Sequence, residues 1–170
     1  FADSDAMACG TAEARGIARV YSGADGTVLR RFCGTSAGDN FGFSVSDAGD
    51  VNGDGRDDVI VGASRAFFDP IACPTPLGAR GVASVYSGKN GALLHRFCGD
   101  HYADFFGHSV AAAGDVDADG KDDVVIGAPD ADEDAVGCPV AAEGRGVVRV
   151  YSGANGRILR RFCGERSGDF

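Results

Sequence analysis

The chain repeats itself with a period of 65 residues, and that period restricts what it can fold into. "GDVNGDGRDDVIVGA" at 49–63 returns as "GDVDADGKDDVVIGA" at 114–128. "GIARVYSGADGTVLRRFCG" at 16–34 returns at 81–99 and again at 146–164, and the last two copies agree at 13 of 19 positions. "FGFSVSDAGD" at 41–50 and "FGHSVAAAGD" at 106–115 precede the two acidic loops. One unit is therefore a Phe-Gly strand, an acidic loop, an apolar strand ending Gly-Ala, a variable loop with a Cys, and two strands about a tight turn.

Short runs of β-branched and aromatic residues between Gly-rich breaks predict strands, and no helical spacing with caps occurs. "DVIVGA" and "DVVIGA" are nearly continuous apolar runs, as expected of strands buried on both faces. Asp-Gly and Asn-Gly between the last two strands predict tight hairpins through positive φ. Four short strands per unit predict an all-β fold of propeller-type blades with four antiparallel strands each. The divisions expected are 1–40, the outer half of a blade holding its third and fourth strands; 41–105, a complete unit; and 106–170, a second complete unit with the start of the next.

Composition removes several function classes. A net charge of −9 over 170 residues gives no basic footprint for nucleic acid. A hydrophobic content of 44% suffices for a core, and no apolar run approaches the roughly 20 residues that cross a bilayer. The chain opens on Phe1 without an initiator Met, as expected of a processed or excerpted sequence. Six Cys, an even number, point to an oxidising compartment.

The acidic loops carry the chemistry. Asp50, Asn52, Asp54 and Asp58 stand at loop positions 1, 3, 5 and 9, and Asp115, Asp117, Asp119 and Asp123 repeat the pattern. Alternate positions of a tight loop aim several oxygens at one centre, and Gly55 or Gly120 permits the turn. The backbone carbonyl of Arg56 or Lys121 at position 7 would add another oxygen. A hard cation taking six to eight oxygens suits this donor set, so Ca²⁺ is expected at two sites. No His or Cys enters the loops, which argues against zinc. An EF-hand or dockerin needs a bidentate Glu at position 12, where Val61 and Ile126 stand inside strands. The bland alternative is a metal-free Asx-turn loop, but clustered carboxylates repel one another without a cation.

Phe41-Gly42 and Phe106-Gly107, the D-x-[ND]-x-D-G-x-x-D loops, Gly62-Ala63 and Gly127-Ala128-Pro129 together resemble the FG-GAP repeat, over essentially the whole chain. Gly-Ala-Ser replaces Gly-Ala-Pro in the first copy. The resemblance implies blades like those of integrin alpha-subunit propellers and bacterial surface proteins, with each loop lying between a blade's first two strands and binding Ca²⁺. Two Ca²⁺ ions would bring the formal charge from −9 to −5, leaving the surface acidic.

Cys9, Cys73 and Cys138 lie in variable loops, and Cys33, Cys98 and Cys163 close last strands. Pairing within units joins Cys9–Cys33, Cys73–Cys98 and Cys138–Cys163 and leaves no Cys over; each closed loop stabilises by about 3 kcal/mol in the chain-entropy model. Pairing between units, Cys33–Cys73 and Cys98–Cys138, strands Cys9 and Cys163. Arg15, Arg80, Arg145 and Arg31, Arg96, Arg161 also recur, as either a ladder facing neighbouring acidic loops or solvated edge charge. His95, His101 and His108 do not recur, and no Ser/His/Asp set or paired carboxylate outside the loops recurs or stands apart.

The expected function is a non-enzymatic, extracellular, bacterial module for adhesion or structural assembly, in a surface array or filament. Its partners would be neighbouring repeats, identical chains, or a protein or glycan ligand. The competing expectation is a propeller accessory to a secreted hydrolase or lyase, binding ligand through its variable loops. Propellers use roughly 4–8 blades, on the order of 260–520 residues at this period, so the chain is expected to belong to a longer array.

Overall fold

The computed structural model describes residues 9, 15–67, 73, 80–131, 138 and 144–165. Ten strands form three antiparallel sheets, with no helix among the described residues. Strands β1 (Ile17–Tyr21) and β2 (Val28–Cys33) pair as a hairpin. A four-stranded meander follows: β3 (Phe41–Gly49), β4 (Asp58–Ala63), β5 (Val82–Tyr86) and β6 (Leu93–Cys98). The second meander is β7 (Ser109–Gly114), β8 (Asp123–Ala128), β9 (Val147–Tyr151) and β10 (Ile158–Cys163). In the second unit Phe106-Gly107 lies ahead of the strand, whereas Phe41-Gly42 opens β3, a difference from the expected Phe-Gly strand.

The sheets pack face to face, and that fixes where each side chain goes. Strand β4 is buried along nearly its whole length. Val61 and Ala63 join Ala18, Phe32 and Phe41 toward the β1–β2 hairpin. Ile60 instead joins Val124, Ile126, Phe97 and Tyr151 toward the second meander. Adjacent residues of one strand thus serve two cores, because successive side chains point to opposite faces. This is why the sequence there is continuously apolar and not alternating.

An aromatic lock repeats with the period. Phe32 stacks on Tyr86 at 4.3 Å between centroids, with Phe41 edge-on to the same ring at 6.4 Å. One period later Phe97 packs on Tyr151 at 4.2 Å, with Phe106 edge-on at 6.2 Å. Such pairs contribute about 0.5–1.5 kcal/mol beyond the area they bury.

The hairpins form where expected, with a different turn. Ser22, Ser87 and Ser152 close four-residue loops through amide bonds to Thr27, Ala92 and Arg157 carbonyls, all 2.8 Å. Only the glycine takes positive φ (Gly26 73°, Gly91 79°, Gly156 73°). Asp25, Asn90 and Asn155 instead use their side-chain oxygens to accept the amides of Thr27, Ala92 and Arg157. The Asx side chain closing its own turn replaces the second positive φ of a two-residue turn. Past each turn Leu29, Leu94 or Leu159 drops out of register as a bulge, so loop and bulge recur as one device.

Disulfides join Cys9–Cys33, Cys73–Cys98 and Cys138–Cys163, at Cα separations of 5.5, 6.0 and 5.9 Å. Each ties the variable loop to the outermost strand of the same unit. The variable loops, expected to offer ligand-binding surface, otherwise lie outside the described residues, as does most of the "ERSGDF" terminus.

A candidate metal centre in the acidic loops

Each acidic loop begins at a distortion. Ala48 and Ala113 are skipped in the pairing of the first two strands, and Gly49 and Gly114 follow at φ 66° and 68°. A bulge of this kind bends the strand and re-aims the next side chain, which is Asp50 or Asp115, the first position of the acidic loop.

That first carboxylate organises the loop. Asp50 Oδ1 accepts the Asp54 amide at 2.9 Å and Oδ2 the Gly55 amide at 2.8 Å. Asp115 does the same with Asp119 at 3.0 Å and Gly120 at 2.9 Å. Gly55 and Gly120 turn the chain at φ 82° and 87°. Ala118 takes φ 60° where the first loop has Gly53 at 74°, so the second loop carries a backbone strain that the first avoids.

The ninth position closes the loop from below. Asp58 and Asp123 are fully buried. Asp58 Oδ2 accepts the Val51 amide at 3.1 Å and Oδ1 the Gly88 amide at 3.1 Å. Asp123 repeats this with Val116 at 2.7 Å and Gly153 at 3.0 Å. Burial pushes the Asp58 carboxyl above the ordinary carboxylate range against those amide bonds, and the charges of Asp54 and Asp50 push the same way. Sequence reasoning missed this second role, in which the carboxylate ties its loop to the hairpin turn after the third strand. The recurring Ser-Gly after each Tyr was its available signal.

Carboxylate oxygens of Asp115, Asp117 and Asp123 lie within 4.8 Å of one another, the one such acidic trio among the described residues. Desolvation, and then the charges of Asp119, Asp123 and Asp115, raise the Asp117 pKa. Asp119 stands outside the trio and bonds the Lys121 amide through Oδ1 at 3.0 Å. In the first loop Asn52 replaces the third-position carboxylate, its amide nitrogen 3.5 Å from Asp58 Oδ1. A half-turn of that carboxamide would present its oxygen instead. Asp54 Oδ1 is buried there without a hydrogen-bond partner.

These features fit a hard cation. A carboxylate oxygen that accepts one amide keeps lone-pair capacity for a metal. A buried, unpartnered carboxylate oxygen carries a desolvation cost that a cation would offset. The oxygen-only set matches calcium's preference. Arg56 and Lys121 occupy position 7, where the backbone carbonyl would be used.

Several of the remaining residues make contacts within the fold. Arg96 Nε donates to Ser84 Oγ on the neighbouring strand at 3.2 Å, and Arg149, outside the recurring set, pairs with Asp100. His95 Nε2 donates to the Gly153 carbonyl at 2.6 Å, and His108 packs on Phe43 at 4.8 Å.

The sequence profile described as "FG-GAP repeat" matches residues 41–86 and 106–151. Integrin alpha-8 of Gallus gallus is 32% identical over 143 residues, 81% of this chain, and integrin alpha-5 of Xenopus laevis is 33% identical over 149 residues, 84% of it. Those stretches are only 12% and 13% of the two integrin subunits. A rhamnogalacturonan lyase of Bacillus licheniformis superposes at a TM-score of 0.42 and 15% identity, covering 84% of this chain and 30% of the lyase. A superposition that loose says nothing about activity or ligand.

Proposed function

The chain belongs to the FG-GAP repeat family, and we propose that it is a non-catalytic, extracellular module in which Ca²⁺ stiffens each acidic loop while blade faces and loops serve adhesion or assembly. The observation that carries this is the oxygen-only loop itself: three carboxylates within 4.8 Å in one copy, a buried unpartnered Asp54 oxygen in the other. Asp50, Asn52, Asp54, Asp58 and the Arg56 carbonyl would hold one ion. Asp115, Asp117, Asp119, Asp123 and the Lys121 carbonyl would hold the second. A bound cation supplies charge neutralisation and a rigid anchor, and the residues around it do the rest. Asp58 and Asp123 transmit that rigidity to the next hairpin through Gly88 and Gly153.

Three disulfides support an extracellular setting, since such bonds persist in oxidising compartments. No helix among the described residues is long and apolar enough to cross a membrane. Assembly with further units or identical chains draws on the end faces. Phe162 is 58% exposed where Phe32 and Phe97 are 4% and 6%, and Tyr21 is 53% exposed where Tyr151 is 6%. The aromatic lock that joins units inside the chain is thus half-built at each end.

Calorimetric titration of the metal-free chain is expected to find two Ca²⁺ sites. Asp54→Ala and Asp119→Ala should each remove one of them. Absence of uptake at millimolar Ca²⁺ would overturn the assignment.

A further inference from the structure

Asp122, at position 8 of the second loop, is assigned no role by the ligand pattern. Its carboxylate points away from its own loop and reaches the first one: Oδ2 accepts the amide of Asp50 at 2.8 Å. Its own amide donates back to the Asp50 carbonyl at 3.2 Å. Both backbone polar groups of the first loop's leading residue are therefore held by one residue of the neighbouring unit. Gly49 makes room for the arrangement, because a Cβ there would stand 2.6 Å from Asp122 Cβ. Asp123, the next residue, is pinned inside its own loop by Val116 and Gly153. The dipeptide Asp122-Asp123 thus has one carboxylate on each loop.

The two loops differ in just this respect. Asp57 is the counterpart of Asp122 and is exposed, whereas Asp122 is half-buried. Gly114, the counterpart of Gly49, meets nothing within 4 Å, and Asp115 is exposed where Asp50 is half-buried.

We propose that Asp122 is a positioning residue that straps Asp50 and couples the two cation loops, so that occupancy of the second loop raises the affinity of the first. The physics is preorganisation. A cation held by Asp123 orders the backbone that carries Asp122, and the first loop then loses less freedom when it closes on its own ion. Coupling of this kind is reciprocal, so filling the first loop tightens the second by the same factor. The inference rests on the calcium reading above for its ligand, but the strap itself is a metal-free contact.

The test follows the Gly55 and Gly120 amide resonances during Ca²⁺ titration of the whole chain, each reporting its own loop. Asp122→Ala should weaken the first loop about five- to tenfold with the second saturated, within the range of single couplings. By reciprocity it should also weaken the second loop when the first is saturated, and change it by less than about twofold in an Asp54→Ala background where the first loop stays empty. Asp122→Asn, which keeps an uncharged acceptor, should fall between. Asp57→Ala should leave the Gly55 site within twofold of wild type. Disabling the second loop with Asp119→Ala should also weaken the first, and this effect should vanish in the Asp122→Ala background. Equal Gly55 affinity in wild type and both Asp122 variants would overturn the coupling. Should the wild-type chain take up no Ca²⁺ at all, the calcium reading falls by itself. Metal-free exchange of the Asp50 amide then decides the strap: acceleration of about fivefold or more in Asp122→Ala upholds it, and an unchanged rate overturns it.

Discussion

Asp104 shows what burial does to a carboxyl outside the acidic loops. It precedes the Phe105-Phe106-Gly107 segment, is almost fully buried, and accepts the His101 amide at 3.0 Å. Burial raises its pKa from the ordinary 3.8 to about 6, against the His101 amide bond and the Arg149 charge. The folded carboxyl therefore binds its proton more tightly than the unfolded one. That contribution to stability is complete below about pH 4 and is lost as pH rises through about 6. Asp104→Asn mimics the neutral form and keeps an oxygen for the His101 amide. Thermal melts should show the variant more stable than wild type at pH 7.5, by about 1–2 kcal/mol after allowance for solvent screening, with the gain absent at pH 4. A gain of equal size at both pH values would mean that the effect is packing and not titration.

At the scale of elements, the family's two glycine motifs meet each other. Gly62 of the Gly-Ala strand end faces the Gly107 carbonyl of the next unit's Phe-Gly motif, and Ser44 Oγ donates to that same carbonyl at 2.8 Å. A Cβ on Gly62 would collide with the Gly107 carbonyl oxygen and with Ser44 Oγ. Gly107 itself has φ 80°, with Gly62 Cα only 3.5 Å from where its Cβ would stand. The inner strands of adjacent sheets approach this closely only because neither residue has a side chain. Gly62→Ala should therefore cost about 2–3 kcal/mol by forcing the sheets apart, read as a lowered denaturant midpoint. Gly23→Ala, in a hairpin turn with nothing within 4 Å, serves as the control and should stay within about 0.5 kcal/mol.

For the whole molecule, the decisive feature is that its interfaces are serial. Each sheet packs on the next, so the end faces present the same surface that internal sheets bury. A cavity of about 820 Å³ borders the last sheet, with Val148 and Phe162 in its wall. Another of about 580 Å³ runs along Ile17, Val20, Tyr21 and Val45 at the other end. Among the described residues, strand β1 pairs only with β2, whereas its counterpart β5 is flanked on both sides. Under the assembly proposal, sedimentation of the 170-residue chain should show concentration-dependent self-association. Phe162→Glu should lower it markedly, because a charge would be placed where Phe32 and Phe97 meet a tyrosine. Ideal monomer behaviour at tens of micromolar in the wild type would sink end-to-end assembly by this surface.

The 65-residue period, the four strands of each unit and the oxygen-only loops were legible in the sequence because each is a local pattern repeated in register. Strand alternation, turn glycines and alternate acidic positions need only near neighbours to be read. Ile60 and Val61 serving separate cores, the meeting of Gly62 with Gly107, and the reach of Asp122 to Asp50 were not legible. Each joins residues dozens of positions apart across a sheet interface, at a spacing that the period alone does not give. The disulfides fall between the two cases: matched Cys phases allowed pairing within or between units, and the placement of each loop Cys against the last strand of its own unit decided it. Sequence determined what each unit is, through backbone preference and donor chemistry. Tertiary structure decided how one unit holds the next, because that depends on which atoms share a face once the sheets have packed.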